Sequence, residues 1–387
     1  MKVYIVEATR SPIGSFLGGL SDIPAPQILA QLIKGLKLSE DTKENIDEAY
    51  FGHVLTANVG QAPAKQALLY AGLSEKIPAT GINKVCASGL KAAMLGAMSI
   101  SSGINNLVLV GGMENMSLAP YYSNELRKGK KLGNINFTDG LVYDGLTNPY
   151  NNQHMGVSAE LCSLDYDISR QEQDDYALLS YNKALETHQN GLFNDEITPI
   201  ETKKGIVASD EGLHNLQLDK LTKLHAAFQK TGTVTAGNAS TINDGASVIL
   251  LASEEAIKKH NLKPLAEIIS YADASQKPEH FTTSPTPAIK NAIKKTNLKL
   301  EDIDFFEINE AFSVVALANQ KLLNIPTKKL NIHGGAVSLG HPLGASGSRI
   351  LVSLVYILLQ QKADYGTASI CNGGGGASAM IIKSVKH

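Results

Sequence analysis

Two stretches of this chain repeat at one spacing, and that constrains its fold more than any other feature. The run NIDEAYFGHV begins at Asn45 and the run DIDFFEINEA at Asp302, 257 positions later. The triplet Ala87-Ser88-Gly89 returns as Ala345-Ser346-Gly347, 258 positions later. Each triplet opens a helical pattern, from Leu90 and from Ser348 onward. Two matches at nearly one offset indicate an internal duplication, so the chain should fold as two similar halves. In the first half, strands alternate with helices. Lys2 to Ala8, Ile46 to Val54, Leu107 to Val110 and Val248 to Ala252 read as strands. Pro26 to Leu36 and Ala62 to Ala71 read as helices with proline near the start, and Ser253 opens another. That alternation predicts βαβ units and a mostly parallel sheet.

From about Met116 to Asn243 the pattern breaks into a segment rich in Tyr, Asn, Gly and charge, with one clear helix from Ser169 to Gln189. Ser169 and Glu172 form a capping box for it. This segment reads as an inserted loop domain, residues 116–243. The flanking first half comprises residues 1–115 and 244–262, and the second half residues 263–387. The basic cluster Arg127, Lys128, Lys130 and Lys131 lies in the insertion and reads as a solvated hairpin tip or a phosphate contact.

A chain of 387 residues, 43% hydrophobic, has length and apolar content for two or three domain-sized units. A formal net charge of -2 gives no electrostatic case for nucleic acid or an acidic membrane surface. The three cysteines, Cys86, Cys162 and Cys371, are too few for a disulfide framework and indicate a reducing compartment. The opening MKVYIVEATRSP has no continuous apolar segment and reads as a strand rather than a signal peptide. The longest apolar run, Ile350 to Leu359, is short for a membrane span. The final SVKH is not a peroxisomal signal. The expected location is cytoplasmic.

The chemistry concentrates in four stretches. NKVCASG places Cys86 on a turn at a helix start, where free amides and the helix dipole favour a thiolate. INEAF supplies Asn309, GGAVSLGHPLGASG supplies His341, and SICNGGGGASA supplies Cys371 and Gly373. If the halves are duplicates, Cys86 and the His341 loop occupy equivalent helix starts. Their packing would bring a thiol to an imidazole, the arrangement of nucleophilic cysteine catalysis. The glycine run 373–376 lacks a following GK[ST] and is not a phosphate loop. Cys162 matches no motif and reads as core. No clustered ligand set suggests a metal.

With these motifs, and with GSFLGGL, GGMENMS, HMG at His154 and GTVTAGNAS, the chain resembles the thiolase family over essentially its whole length. The resemblance implies an αβαβα layered fold of two duplicated halves with an inserted loop domain. It implies Cys86 as the acyl-accepting nucleophile, with a lowered pKa, and His341 as its base. Cys371 would be the second cysteine, which moves a proton at the substrate α-carbon. The amides of Cys86 and Gly373 would form one oxyanion hole, and His341 with a water held by Asn309 a second. Coenzyme A contacts carry over to Leu146, His154, Met155, Phe228, Ala236, Ala239, Ser240 and Phe312. The implied reaction is reversible condensation of two acetyl-CoA to acetoacetyl-CoA and coenzyme A, by an enzyme with no separate cofactor that forms homodimers or homotetramers. Two departures stand out. Leu213 and His214 follow Asp210-Glu211 where the family often has Arg, and KLHAAF carries His225. Both weaken contacts at the adenine and phosphate end unless Lys220, Lys223 or the Arg127 cluster supply them. Alternatives are a longer-chain 3-ketoacyl-CoA thiolase, a 3-ketoacyl-carrier-protein synthase (which would want Cys-His-His), and a silent acyl-CoA binding module.

Overall fold

The structure is a computed structural model that describes residues 1–214 and 218–385. The first half supplies strands β1 (Val3–Arg10), β2 (Glu48–Gly52), β3 (Ala79–Ile82), β4 (Leu107–Asn115) and β5 (Asn243–Ser253). The second supplies β6 (Ala266–Ser275), β7 (Phe305–Ile308), β8 (Tyr365–Asn372) and β9 (Gly376–Ser384). They join in one sheet, in the order β7-β8-β9-β6-β1-β5-β4-β2-β3, with the short strand Gly14–Ser15 on β5.

Read outward from the β1–β6 contact, the halves repeat one another. β1 pairs antiparallel with β5, β5 antiparallel with β4, and β4 parallel with β2. β6 pairs antiparallel with β9, β9 antiparallel with β8, and β8 parallel with β7. The duplication read from two short matches is thus a duplication of topology. The mostly parallel sheet is not found. Only the flanks are parallel: β9 follows β8 through a tight turn and so runs antiparallel to it, and β5 returns from the insertion antiparallel to β4.

Helices α1 (Ala25–Gly35), α2 (Pro63–Tyr70) and α3 (Ser88–Ser101) belong to the first half, and α4 (Met155–Asp165) and α5 (Arg170–Gln189) to the insertion. The second half has α6 (Pro285–Ile293), α7 (Ser313–Leu323) and α8 (Leu343–Gln360). Side chains of α3 and α8 share one core with inward residues of β1, β4, β5, β6, β8 and β9. α1 and α2 cover the outer face of the first half, and α6 and α7 that of the second. This is the layered arrangement expected, with two helices as its centre.

The repeated triplets show how those central helices meet. A Cβ on Gly89 would sit 2.5 Å from Ser348 Oγ, and one on Gly347 would sit 2.5 Å from the Leu90 nitrogen. Both glycines are therefore crossing points where only hydrogen fits. Gly52 and Gly112 do the same for the Gly344 carbonyl, which a Cβ would approach to 2.5 and 2.0 Å. Backbone from the two halves thus touches directly beneath the starts of α3 and α8.

Other expectations need adjustment. The second triplet lies inside α8, not before it, because α8 begins at Leu343. α8 runs 18 residues with mean hydropathy 1.4, so it is longer than the apolar run suggested, yet most of it is buried as a core helix. The insertion has a second helix, α4, which was not anticipated. The capping box of α5 is present, with the Ser169 side chain accepting from Glu172 N and Glu172 accepting from Ser169 N. Cys162 is buried in an apolar cluster, as expected. Arg10 of β1 anchors the insertion to the sheet, since its buried guanidinium binds Glu196 at 2.6 Å and Asp210 at 2.7 Å. Lys386 and His387, which end the tail read for a targeting signal, lie outside the described residues.

Candidate active site

A cavity of about 770 Å3 opens between the insertion and the starts of α3 and α8. Cys86, His341, Gly373, Leu146, His154, Met155, Phe228, Ala236, Ala239, Ser240 and Phe312 all line it. Asn309 and Cys371 are buried and stand behind the lining. The structure therefore brings two duplicated helix starts to one cavity, as the offset argument required.

Cys86 sits on a strained elbow. Val85 before it has φ of +49°, a left-handed conformation that a β-branched residue strongly disfavours. Ser88 holds the elbow shut: its hydroxyl donates to the Val85 carbonyl at 2.5 Å and accepts from Lys84 N at 2.8 Å. Nothing in the sequence signals Val85, because valine is an unusual choice for such a turn. Lys84 reaches across to Asp273 of β6, joined there by Lys91 at 2.6 Å. These ion pairs tie the elbow to the second half.

The thiol is not the lowered-pKa group expected from a helix start. Burial pushes it up to about 12, while the amides of Cys86 and Gly373 pull the other way. Both amides thus act on the sulfur. Burial and the Arg349 charge lower His341 to about 3, so its ring is neutral. A neutral thiol and a neutral imidazole therefore share the cavity. The apolar wall outweighs the dipole of the helix start, because desolvation penalises the charged form of both groups.

His341 is fixed by its neighbours. Its backbone N–H donates to Asn243 Oδ1 at 2.9 Å, and Nδ1 lies 2.6 Å from Ser346 Oγ. Among the described residues its Nε2 has no hydrogen-bond partner, nor does Asn309 Nδ2. Arg349 Nη2 lies 3.5 Å from Asn309 Oδ1 and turns that oxygen away from being the free end of the amide. Cys371 is fully buried, and its thiol is raised well above the ordinary value by burial and then by Cys86. The three cysteines are free.

The tunnel is apolar and built from aromatic contacts. His154 caps α4 by accepting from Gly156 N at 3.0 Å and stacks on Phe228 with centroids 4.7 Å apart. Phe312 meets Phe228 edge-on at 6.2 Å. Ser240 donates to the Ala311 carbonyl at 2.8 Å, which pins the TAGNAS loop to the INEAF loop. The departures fall in different places. Leu213 is packed in a core with Ile13, Phe193 and Leu339. His225 is exposed, and the His214 side chain is outside the described set. Glu211 is occupied by the Ser15 and Gly19 amides. Lys220 lines the cavity, so of the substitute cations it is the one at the site, whereas Arg127 and its neighbours are on the exposed hairpin.

A sulfur facing two amides at the end of an apolar tunnel suits transfer of an acyl group between thiols, and the chain is an acyltransferase by its relatives as well. It belongs to the thiolase family: the thiolase N-terminal domain model matches residues 3–255 and the thiolase C-terminal domain model residues 262–384. It is 48% identical to the cytosolic acetyl-CoA acetyltransferase ERG10 of Gibberella zeae over 391 aligned positions, 99% of this chain and 98% of that one. It is 47% identical to an acetyl-CoA acetyltransferase of Schizosaccharomyces pombe, covering 99% of both. The Acat5 thiolase from Ascaris suum, crystallised with coenzyme A, superposes with a TM-score of 0.93 at 40% identity over the full length of both chains.

Proposed function

We propose that this chain is an acetyl-CoA C-acetyltransferase that joins two acetyl-CoA molecules into acetoacetyl-CoA and coenzyme A, and runs the reverse thiolysis. The observation that carries the reading is the pair of amides acting on the Cys86 sulfur, with His341 lining the same cavity and its Nε2 without a hydrogen-bond partner among the described residues. Cys86 Sγ bonds to the acetyl carbonyl carbon and the bond from that carbon to the coenzyme A sulfur breaks. His341 Nε2 takes and keeps the Cys86 proton, and the leaving thiolate takes the proton of the Cys371 thiol. The Cys86 and Gly373 amides hold the tetrahedral oxyanion. The Cys371 thiolate so formed removes an α-proton from a second acetyl-CoA. Asn309, through a water, and the protonated His341 hold the enolate oxygen while the enolate carbon bonds to the acetyl carbonyl carbon and the bond from that carbon to Cys86 Sγ breaks, the Cys86 thiolate taking its proton back from His341.

Coenzyme A lies along the tunnel of Leu146, His154, Met155, Phe228, Ala236, Ala239, Ser240 and Phe312, with Lys220 at its phosphate end. Met155 approaches Gly373, its methyl 3.7 Å from where a Cβ would stand, which favours a short acyl group. Residues 116–243 form the substrate-binding insertion within the first half and carry subunit contacts of a homodimer or homotetramer in the cytoplasm. Intact-protein mass after mixing with acetyl-CoA tests the reading. One acetyl group on Cys86 supports it, and an unmodified protein that still binds acetyl-CoA makes the chain a binding module. Thiolysis faster on a sixteen-carbon than a four-carbon 3-ketoacyl-CoA overturns the short-chain assignment.

A further inference from the structure

We propose that Ser346 is a positioning residue that sets the tautomer of His341 and leaves its Nε2 as the bare lone pair facing the cavity. The inference rests on the reading of His341 as the base. The buried Ser346 hydroxyl lies 2.6 Å from His341 Nδ1 and 2.8 Å from the Pro342 carbonyl oxygen. A serine hydroxyl has one proton to give, and a carbonyl can only accept. If the proton went to Nδ1 instead, two oxygen acceptors would face each other at 2.8 Å with no hydrogen between them. The Ser346 proton therefore goes to Pro342, and the contact with the ring takes its hydrogen from Nδ1. A neutral imidazole carries one N–H, so Nε2 has none. Among the described residues Nε2 has no partner to draw the proton the other way.

The duplication supplies an independent observation. Ser88 is the matching serine of the first triplet, and it bridges in the same sense at the other helix start. Its hydroxyl donates to a carbonyl three residues back and accepts from Lys84 N. In the first half the accepting side of that bridge secures the backbone beside Cys86. In the second half it secures a ring. The same hydroxyl thus serves the nucleophile's elbow at one helix start and the base at the other, which gives a reason for the repeated triplet beyond the close approach of its glycine.

The test uses the full-length enzyme labelled with 15N-histidine, the His341 signals being assigned by their loss in His341→Gln. Wild type is expected to show a pyrrole-type Nδ1 and a pyridine-type Nε2. Ser346→Ala should lose that preference and form acetyl-enzyme about ten- to a hundredfold more slowly in rapid-quench mass measurements. Ser346→Thr, which keeps the hydroxyl, should restore both readouts to within a few fold. A wild-type ring protonated on Nε2 overturns the proposal. So does a Ser346→Ala enzyme with unchanged tautomer and rate, or a rate loss that Ser346→Thr leaves in place. If His341→Gln acetylates Cys86 at the wild-type rate, the base assignment fails, and the spectra then decide the tautomer assignment alone.

Discussion

In the first half the chain leaves β4 at Asn115 and re-enters the sheet only at Asn243, whereas in the second it leaves β8 at Asn372 and re-enters β9 at Gly376. The strands on either side are paired alike. The difference in the connection divides the labour of the site. The long excursion supplies α4, α5 and the tunnel walls. The short turn supplies the Gly373 amide, and it can be so tight because Gly374 and Gly375 take φ of +85° and +87°. A Cβ on Gly375 would stand 2.1 Å from the Gln276 carbonyl. A repeated scaffold thus positions unlike groups, because its helix starts coincide while its loops are free to diverge.

The widest separation of the halves should appear when each loses its reacting sulfur. Cys86→Ala is expected to abolish acetyl-enzyme but retain some exchange of acetyl-CoA methyl protons with deuterated water. Cys371→Ala should retain the acetyl-enzyme and lose exchange by roughly a hundredfold to ten-thousandfold. Intact mass and NMR of the acetyl methyl read the two steps. Wild-type exchange in Cys371→Ala would remove it as the base and leave His341 as the next candidate.

The dependence of the insertion on the sheet can be broken next. Arg10→Met leaves Glu196 and Asp210 buried without their cation, so a loss of about 3–5 kcal/mol is expected in denaturant unfolding. A loss below about 1 kcal/mol would mean that the insertion is held by its apolar contacts.

The contact between halves comes third. Gly112→Ala forces a Cβ against the Gly344 carbonyl, and about 1–3 kcal/mol of destabilisation is expected. Gly81→Ala on β3, where no atom lies within 4 Å of the new Cβ, is the control and should stay within about 0.5 kcal/mol. Equal effects would show that close approach is not what fixes these glycines.

The smallest effect concerns the ion pairs from the elbow to β6. Burial raises Asp273, but hydrogen bonds from Lys84, Lys91 and Ser378 bring it down to about 2. Its folded pKa lies below its unfolded value of about 4. The stabilisation is therefore present above about pH 4 and lost as pH falls through about 2. The carboxylate is partly exposed, so Asp273→Asn should remove less than about 1 kcal/mol at neutral pH and flatten this part of the acid limb. An acid limb unchanged in Asp273→Asn would assign it to other carboxylates.

Much of this was written in the linear chain. The matches at Asn45 and Asp302 and the two triplets announced the duplication, because close-packed helix starts tolerate few residue types. The motifs around Cys86, Asn309, His341 and Cys371 identified the family for the same reason. Ser169 and Glu172 cap α5 by local hydrogen bonds, which sequence can show. Strand direction was not legible, since alternation of strands and helices does not say which strands return antiparallel, and β5 does so even after the helices of the insertion. The helix α4 was missed because its cap is a histidine and its apolar face is weakly patterned. The ionisation of Cys86 was misjudged because a helix start is a local feature, whereas the desolvation that outweighs it comes from the closed cavity. The strain at Val85 and the tautomer of His341 belong to that class as well. They depend on which atoms long-range packing brings within hydrogen-bond distance, and that is set only when both halves close on α3 and α8.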